Sequence, residues 1–475
     1  MSERRKPTRA VLLAAGQGKR MKSSKPKVLH DVLGKTILAR VLDAVQALDV
    51  ERIHIIVGHE AEQVRQFLKE NPPAVPVSVH LQEPQLGTGH ALMQCVDELK
   101  QFNGTLLVTV ADTPLLTGET LSALIAEHER KKATVTLLTT IVEDAKNYGR
   151  VLRDGSGKVT AIVEDKDASE EERKIRLINT AIYCFEWPEI EQGLRTLKND
   201  NKQNEYYLTD VVGWAASSGR DTAGFVAQDW REVAGINSRL ELAEANRLLR
   251  DITVQRLAAE GITILDAQST WIAPEVKIGP DSTILPGCFL TGTIEIGSNC
   301  KIGPHTVMHG PVKIGDHCSI IQSQVAKTVL GSHCTVGPFA HLRDGNQIAD
   351  HCRIGNFVEV KNAKIADHSN VSHLSYVGDA EVGSRCNLGA GTITANYDHI
   401  TKMKQRTIVE DDASTGSNSV LVAPVTLGRG SMLAAGSVAT KDVPAGALAL
   451  SRAPQNNIDG YIDKKRKQHE DEHGT

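Results

Sequence analysis

Apolar residues follow two different rhythms along this chain. In the first half, short apolar runs alternate with stretches where apolar side chains recur every three or four residues. The runs Arg9–Ala14, Arg52–Val57, Val77–Leu81, Thr105–Val110 and Thr134–Ile141 predict buried strands. The stretches Ile37–Leu48, Glu60–Leu68, Gly89–Leu99 and Thr120–Lys131 predict helices between and after them. Strands separated by helices of this length need crossover connections, which predicts an α/β fold with a mostly parallel sheet. Such sheets bind ligands at the carboxyl ends of their strands.

A long helical pattern, Ser238–Leu257, follows. Ser238 and Glu241 have capping-box spacing: the serine caps a free N–H and the glutamate reaches back. From about Trp271 the rhythm changes to six residues. An aliphatic residue followed by Gly or Ala recurs at Ile278-Gly279, Ile296-Gly297, Ile302-Gly303 and Ile314-Gly315. After a slip in phase it resumes at Leu330-Gly331, Val336-Gly337, Ile348-Ala349 and Ile354-Gly355, and continues to Leu433-Ala434. This period predicts a parallel β-helix, with one inward aliphatic per six residues and Gly permitting the tight corners. Phase slips predict loops at Phe339–Asn346 and Asn396–Thr407. The expected division is residues 1–237, a linker helix at 238–260, and 261–475 with a solvated tail.

The aromatic content of 4% fits narrow coils, which have no room for Trp. Of the 475 residues, 40% are hydrophobic and 24% charged, which excludes a disordered chain. A net charge of -4 excludes a generally basic nucleic-acid binder. No apolar run reaches the ~20 residues of a membrane-spanning helix, so no membrane partner is expected. Val11–Ala15 is too short for an export signal. Eight cysteines in a chain this long make no disulfide scaffold, and a cytoplasmic, reduced protein is expected. The pairs His317-Cys318, His333-Cys334 and His351-Cys352 invite a zinc reading. Yet Cys300, Cys318, Cys334, Cys352 and Cys386 hold one place in the repeat, and adjacent residues should face opposite ways. A structural role for these cysteines is expected instead.

Chemistry enters at the end of the first strand. Ala15-Gly16-Gln17-Gly18-Lys19-Arg20 is a Gly-rich, basic loop whose N–H groups and Arg20 suit phosphate oxygens, though alone it also fits a simple tight turn. It is neither a Rossmann fingerprint nor a P-loop. Lys25-Pro26-Lys27 adds charge nearby. Gln85-Leu86-Gly87-Thr88-Gly89-His90 is a second Gly-rich turn opening a helix. Asp112 stands at a strand end, where an oxygen-seeking Mg²⁺ can bind.

This order of motifs resembles the sugar-phosphate nucleotidyltransferases. More closely, it is similar to the bifunctional bacterial family of N-acetylglucosamine-1-phosphate uridyltransferases/glucosamine-1-phosphate acetyltransferases, over roughly Arg9 to Arg452. The resemblance implies a Rossmann-like N-terminal nucleotidyltransferase domain, a linker helix and a C-terminal left-handed parallel β-helix of hexapeptide repeats. It implies that Gly16, Arg20 and Lys27 hold the phosphates of UTP, and that Gln85, Gly87 and Thr88 meet uracil and ribose. It gives Mg²⁺ to Asp112 and Asn237, and the sugar to Gly149, Glu164 and Asn179.

The β-helix carries polar segments that resemble the acetyltransferase motifs of the same family: Phe339–Gly345, Gly355–Lys361, Ser372–Asp379 and Gly389–Asp398. By that resemblance Arg343, Lys361, Tyr376 and Asn387 hold glucosamine 1-phosphate, and Asn396 orients its amine. His373 is the general base, since imidazole titrates near neutrality. Glu359 is expected to orient His373, and the Tyr397 N–H to support the oxyanion. Acetyl-CoA falls to Ser417, Ala435 and Arg452. The family is trimeric, with acetyl-transfer sites between coils of neighbouring chains. Asp344 and His399 stand where the family pattern has Pro and Gly. Two rival readings are a nucleotidyltransferase whose β-helix only oligomerises, and a non-catalytic scaffold of the same architecture.

Overall fold

The computed structural model describes residues 6–145 and 147–474. The chain divides into two compact units, one ending at Ile252 and the other beginning at Thr253. Each is described in turn.

In the first unit the elements run β1 (Thr8–Ala14), a small hairpin of β2 (Asp31–Val32) and β3 (Lys35–Thr36), α1 (Ile37–Gln46), β4 (Ile53–Val57), α2 (Ala61–Glu70), β5 (Val77–Leu81), α3 (Thr88–Met93), α4 (Val96–Leu99), β6 (Gly104–Val110), α5 (Gly118–Lys131) and β7 (Val135–Ile141). Then come β8 (Arg150–Arg153), β9 (Val159–Val163), α6 (Glu170–Arg173), β10 (Leu177–Trp187), α7 (Glu189–Arg195), α8 (Asp210–Ser217), β11 (Thr222–Val226) and α9 (Arg239–Ala259). The sheet order is β11-β7-β10-β6-β1-β4-β5. Only β10 runs against its neighbours in this path. The sheet is therefore mostly parallel, as the alternation predicts.

Central strand β1 is covered on both faces, which is why Ala10, Val11 and Leu12 are fully buried. Side-chain caps set the helix starts: Thr36 Oγ1 accepts from Ala39 N at 3.1 Å, and Thr117 Oγ1 from Thr120 N at 3.2 Å. Ile37, Leu38, Val41, Leu42 and Val45 form the buried stripe of α1. The single helix expected at Gly89–Leu99 is two short ones, α3 and α4, interrupted at Gln94 and Cys95. At α9, Ser238 Oγ accepts from Glu241 N at 3.2 Å. Glu241 Oε2 reaches one residue further back than a capping box needs, accepting from Asn237 N at 2.5 Å.

The second unit is a left-handed parallel β-helix built from three sheets of very short parallel strands. Aliphatics stack coil over coil: Ile284, Ile302, Ile320, Val336 and Ile354 lie in register in one sheet, and Ile278, Ile296, Ile314, Leu330 and Ile348 in another. Each buried aliphatic contributes roughly 1.5–3 kcal/mol.

Two sequence expectations need correction, and a third needs extending. Gly303 and Gly337 do take positive φ, but the Gly after Ile278, Ile296, Ile314 and Leu330 does not make the corner. A Cβ on Gly279 or Gly297 would lie 2.7 Å from backbone carbon of the next coil, so close stacking demands Gly there. The corner is made two residues later, where Asp281, Asn299, His317, His333, His351 and Arg385 take positive φ. Second, Phe339–Asn346 is not a loop. His341 and Leu342 form a strand between Gln324-Val325 and Glu359-Val360, and the phase slip reflects a shortened coil between Ile314 and Leu330. Asn396–Thr407 does leave the coil, closed by an antiparallel bridge of Tyr397 and Lys404. Third, the His-Cys pairs separate as expected but for more than packing reasons. The cysteines are buried, with Cys318 Sγ donating to the Gly331 carbonyl at 3.0 Å. The neighbouring imidazoles of His317, His333 and His351 stack outside at 4.8 Å.

Candidate active sites

The first constellation lies at the carboxyl ends of β1 and β6, where an open α/β sheet presents its ligand crevice. Past β1, Gly18 takes positive φ and Gly16 has open space around its Cα. Arg20 is exposed on the loop, and no described residue pairs with it. Lys27 Nζ donates to Asp112 Oδ2 at 2.6 Å and to Asn237 Oδ1 at 3.0 Å. Three residues far apart in sequence thus meet at one point. Asn237 is fixed there by its N–H bond to Glu241, and Asp112 by its main-chain oxygen, which accepts from Ile236 N at 2.9 Å. The two side-chain oxygens converge on a cation, here the ammonium, and an oxygen-only pair suits a hard ion such as Mg²⁺.

The second Gly-rich turn packs against the first. Gln85 Nε2 donates to the Ala15 carbonyl, tying the turn to the first loop. Gly87 has φ 103°, and a Cβ there would lie 2.7 Å from the Tyr206 carbonyl. Thr88 Oγ1 accepts from Leu208 N at 3.0 Å. The segment Tyr206–Leu208, which sequence reading did not single out, therefore holds the turn in shape.

Gly149, Glu164 and Asn179 also converge. Asn179 N donates to the Gly149 carbonyl at 2.8 Å, and a Cβ on Gly149 would lie 3.5 Å from Glu164 Oε2. Burial pushes the Glu164 carboxyl above its ordinary range, partly offset by a bond from Thr209 Oγ1 at 3.3 Å. Tyr148, also absent from the sequence reading, is hydrogen-bonded to the backbone of Gly235 beside Asp112, and its phenol is raised by burial.

The second constellation lies on the β-helix. His373 occupies a corner, directly above Asn356 of the preceding coil in register. Its Nδ1 lies 2.5 Å from Asn356 Oδ1. The partner expected from sequence was Glu359. Instead Glu359 Oε1 accepts from Arg343 Nη1 at 2.7 Å, because Arg343 on the adjacent coil can extend along the same face. Asn356 is one coil before His373, a separation of 17 residues. Stacking by coil period was the signal that could have found it.

Tyr376 stands over Glu359 on the outer face of the same sheet, and Lys361 sits at that strand's end. Positive neighbours, Arg343 first and then Lys404, hold the Lys361 ammonium below its ordinary range. That excess of positive charge suits a phosphate dianion. Buried Asn396 donates to Asp379, which leaves Asn396 Oδ1 without a described partner. The bridge from Tyr397 to Lys404 uses the N–H groups of Asp398 and Gln405, so the Tyr397 N–H is unpaired among the described residues. Asn387 is exposed on the sheet that leads to the His373 corner, in register with Asn370.

Ser417 and Ala435 follow the same corner away from His373. Register stacks Val371, Leu388, Thr415 and Leu433, and the residue two places beyond each lies on one edge: His373, Ala390, Ser417 and Ala435. At ~4.8 Å per coil, Ser417 is about 10 Å from His373 along that edge. Arg452 joins them, its Nη1 donating to the Ala435 carbonyl at 3.1 Å. The departure at Asp344 leaves the coil intact: its carboxylate pairs with Lys327 at 2.7 Å while Arg343 N keeps its bond to Val360 O.

Fold and sites together define a nucleotidyltransferase joined to a hexapeptide-repeat transferase. Residues 9–248 match the nucleotidyl transferase family, 293–320 the bacterial transferase hexapeptide repeats, and 406–441 the hexapeptide repeat of succinyl-transferase. The chain is similar to the Bifunctional protein GlmU of Exiguobacterium sp., 47% identical over 95% of this chain and 98% of that protein. It is 44% identical to that of Streptomyces avermitilis over 97% and 95%, and 46% identical to that of Geobacillus thermodenitrificans over 96% and 98%. The chain belongs to the bifunctional GlmU family.

Proposed function

We propose that this chain makes UDP-N-acetylglucosamine in two steps, at the two constellations described. The observation that supports the pairing is that each unit carries its own charged cluster: Lys27, Asp112 and Asn237 in one, and Arg343, Lys361 and His373 in the other. A scaffold or a merely oligomerising β-helix needs neither. Residues 1–237 would be the uridyltransferase domain, 238–260 its linker helix and 261–475 the acetyltransferase.

At the β-helix, His373 takes a proton from the amine of glucosamine 1-phosphate. The amine nitrogen attacks the acetyl carbonyl of acetyl-CoA, and CoA leaves as thiol. Asn356 holds the imidazole through Nδ1, so Nε2 is the atom that accepts the proton. Arg343, Lys361, Tyr376 and Asn387 bind the sugar phosphate, and Glu359 positions Arg343. Asn396 Oδ1 accepts from the amine, and the Tyr397 N–H meets the developing oxyanion. Ser417, Ala435 and Arg452 carry the rest of acetyl-CoA along the edge.

In the first unit, the 1-phosphate oxygen of N-acetylglucosamine 1-phosphate attacks the α-phosphorus of UTP, and pyrophosphate leaves. Gly16, Arg20 and Lys27 hold the phosphates. Gln85, Gly87 and Thr88 hold uracil and ribose, and Gly149, Glu164 and Asn179 the sugar. Asp112 and Asn237 would hold Mg²⁺, which when bound neutralises charge on the phosphates. Lys27 then exchanges its bond to Asp112 for one to phosphate. The protein's role is positioning and charge, with no covalent nucleophile.

The reading extends to a homotrimer in the cytoplasm, with residues of the acetyl-transfer site drawn from more than one chain. No described helix is long and apolar enough to cross a membrane. The test is His373→Ala. CoA release from glucosamine 1-phosphate and acetyl-CoA should fall ~10²–10⁴-fold, with pyrophosphate release from N-acetylglucosamine 1-phosphate and UTP unchanged. Undiminished CoA release contradicts the assignment.

A further inference from the structure

A second cluster in the first unit lies on β4, β5 and α4, elements that carry none of the residues assigned to nucleotide or sugar. His54 Nδ1 and His80 Nε2 are 3.1 Å apart. Glu98 brings Oε2 to 3.6 Å from His54 Nδ1 and Oε1 to 3.9 Å from His80 Nε2. Parallel pairing explains the meeting: register sets Ile56 beside His80 and His54 beside Ser78, so both imidazoles rise on the sheet face that α4 covers.

We propose that His54, His80 and Glu98 bind a zinc-class divalent cation, with a fourth position open to water. A four-coordinate zinc with ligand bonds of ~2.0–2.2 Å holds its ligand atoms roughly 3.3–3.6 Å apart. One ligand atom from each of these three residues already lies within 4.8 Å of the others, so closing on an ion takes a small inward movement of the half-exposed Glu98 carboxylate. Two imidazoles and one carboxylate form a donor set that zinc prefers and magnesium does not. The site therefore differs in kind from the all-oxygen pair of Asp112 and Asn237.

The surroundings prepare the ligands. His54 is fully buried and its ring cannot swing away. The facing ring nitrogens, His54 Nδ1 and His80 Nε2, are hydrogen-bonded to each other, and metal binding would displace the proton they share. Glu98 is held below the ordinary carboxyl range, first by the Ser78 hydroxyl. Ser78 is itself fixed by Arg52 Nη1 at 3.1 Å, and Arg9 Nη1 donates to the Glu98 main-chain oxygen at 3.2 Å. Ser78 and these arginines hold Glu98 in place beside the imidazoles. An ion here ties edge strand β5 and its neighbour β4 to α4, the helix after the one that the Gly87 turn opens.

The test uses chelator-stripped full-length protein, titrated with Co²⁺ in excess Mg²⁺. One equivalent of Co²⁺ should give the intense visible bands of a four-coordinate site, displaced by Zn²⁺, with a rise in melting temperature. The bands should be lost in His80→Asn and Glu98→Gln, both checked for folding by circular dichroism. They should persist in Asp112→Asn, and in His333→Gln, which interrupts the stacked surface imidazoles. Wild-type protein showing only weak octahedral bands, or bands undiminished in His80→Asn and Glu98→Gln, overturns the proposal and leaves a hydrogen-bonded His-His-Glu network without metal.

Discussion

Lys27 Nζ lies 2.6 Å from Asp112 Oδ2, across 85 residues of sequence. The ammonium sits where two oxygens converge at the carboxyl end of β6. On the proposed reading, lysine and metal address the same oxygens in turn. Asp112→Asn should lower uridylyl transfer by ~10²-fold or more and move its Mg²⁺ requirement to higher concentration. Acetyl transfer should be untouched. The measurement is pyrophosphate release across a Mg²⁺ titration, beside CoA release from the same preparation. An unchanged Mg²⁺ curve would remove Asp112 from the metal site.

We propose that Asn356, which touches His373, belongs to the acetyl-transfer site. It acts through His373 and is a positioning residue. Asn356→Ala should lower kcat for acetyl transfer by roughly 10–100-fold, less than the ~10²–10⁴-fold of losing the base itself. KM for acetyl-CoA should hold, because Ser417, Ala435 and Arg452 stand further along the edge. Asn356→Asp should restore part of the rate and shift the pH profile upward, since a carboxylate beside Nδ1 favours the imidazolium.

The difference between Asn356 and Glu359 shows what the sequence can and cannot convey. A hexapeptide period reveals which residues point inward, because every sixth aliphatic marks a wall. It does not reveal which outward residues meet, because contacts run between coils and coil length varies. His373 lies over Asn356 only because this coil is shorter than the one that brings Ile302 over Ile284. The same variation made Phe339–Asn346 look like a loop when it holds a strand in register at His341–Leu342. In the α/β unit the parallel strands β1, β4, β5, β6 and β7 were legible as largely apolar runs, whereas parallel β11, short and carrying Gly224, was not. The antiparallel β10, with Asn179 and Thr180 among its buried residues, breaks that pattern and was not. The motif residues of the first site were legible as types. That Lys27, Asp112 and Asn237 touch depends on Glu241 holding Asn237, a bond one residue outside the expected box.

Buried His128 offers a pH test independent of either site. Its Nδ1 lies 2.9 Å from Thr136 Oγ1, and burial pushes its imidazole down to about 4. Its ordinary value in the unfolded chain is near 6.5. The unfolded state therefore takes up a proton first as pH falls. The stabilisation is fully present above pH 6.5 and is lost progressively as pH falls from 6.5 to about 4. At most this is about 3 kcal/mol, from ~1.4 kcal/mol per pH unit. Thermal melts between neutral pH and pH 4 should fall less steeply in His128→Asn than in the wild type. Parallel curves would contradict a buried neutral histidine.

The central claim is that two chemistries follow one another on one chain. The direct measurement supplies glucosamine 1-phosphate, acetyl-CoA, UTP and Mg²⁺ together and follows free CoA and pyrophosphate separately. The account predicts release of both, with pyrophosphate lagging behind CoA and absent when acetyl-CoA is withheld. Pyrophosphate appearing only when N-acetylglucosamine 1-phosphate is supplied ready-made would contradict the role given to His373. Release of neither product would contradict the enzyme itself.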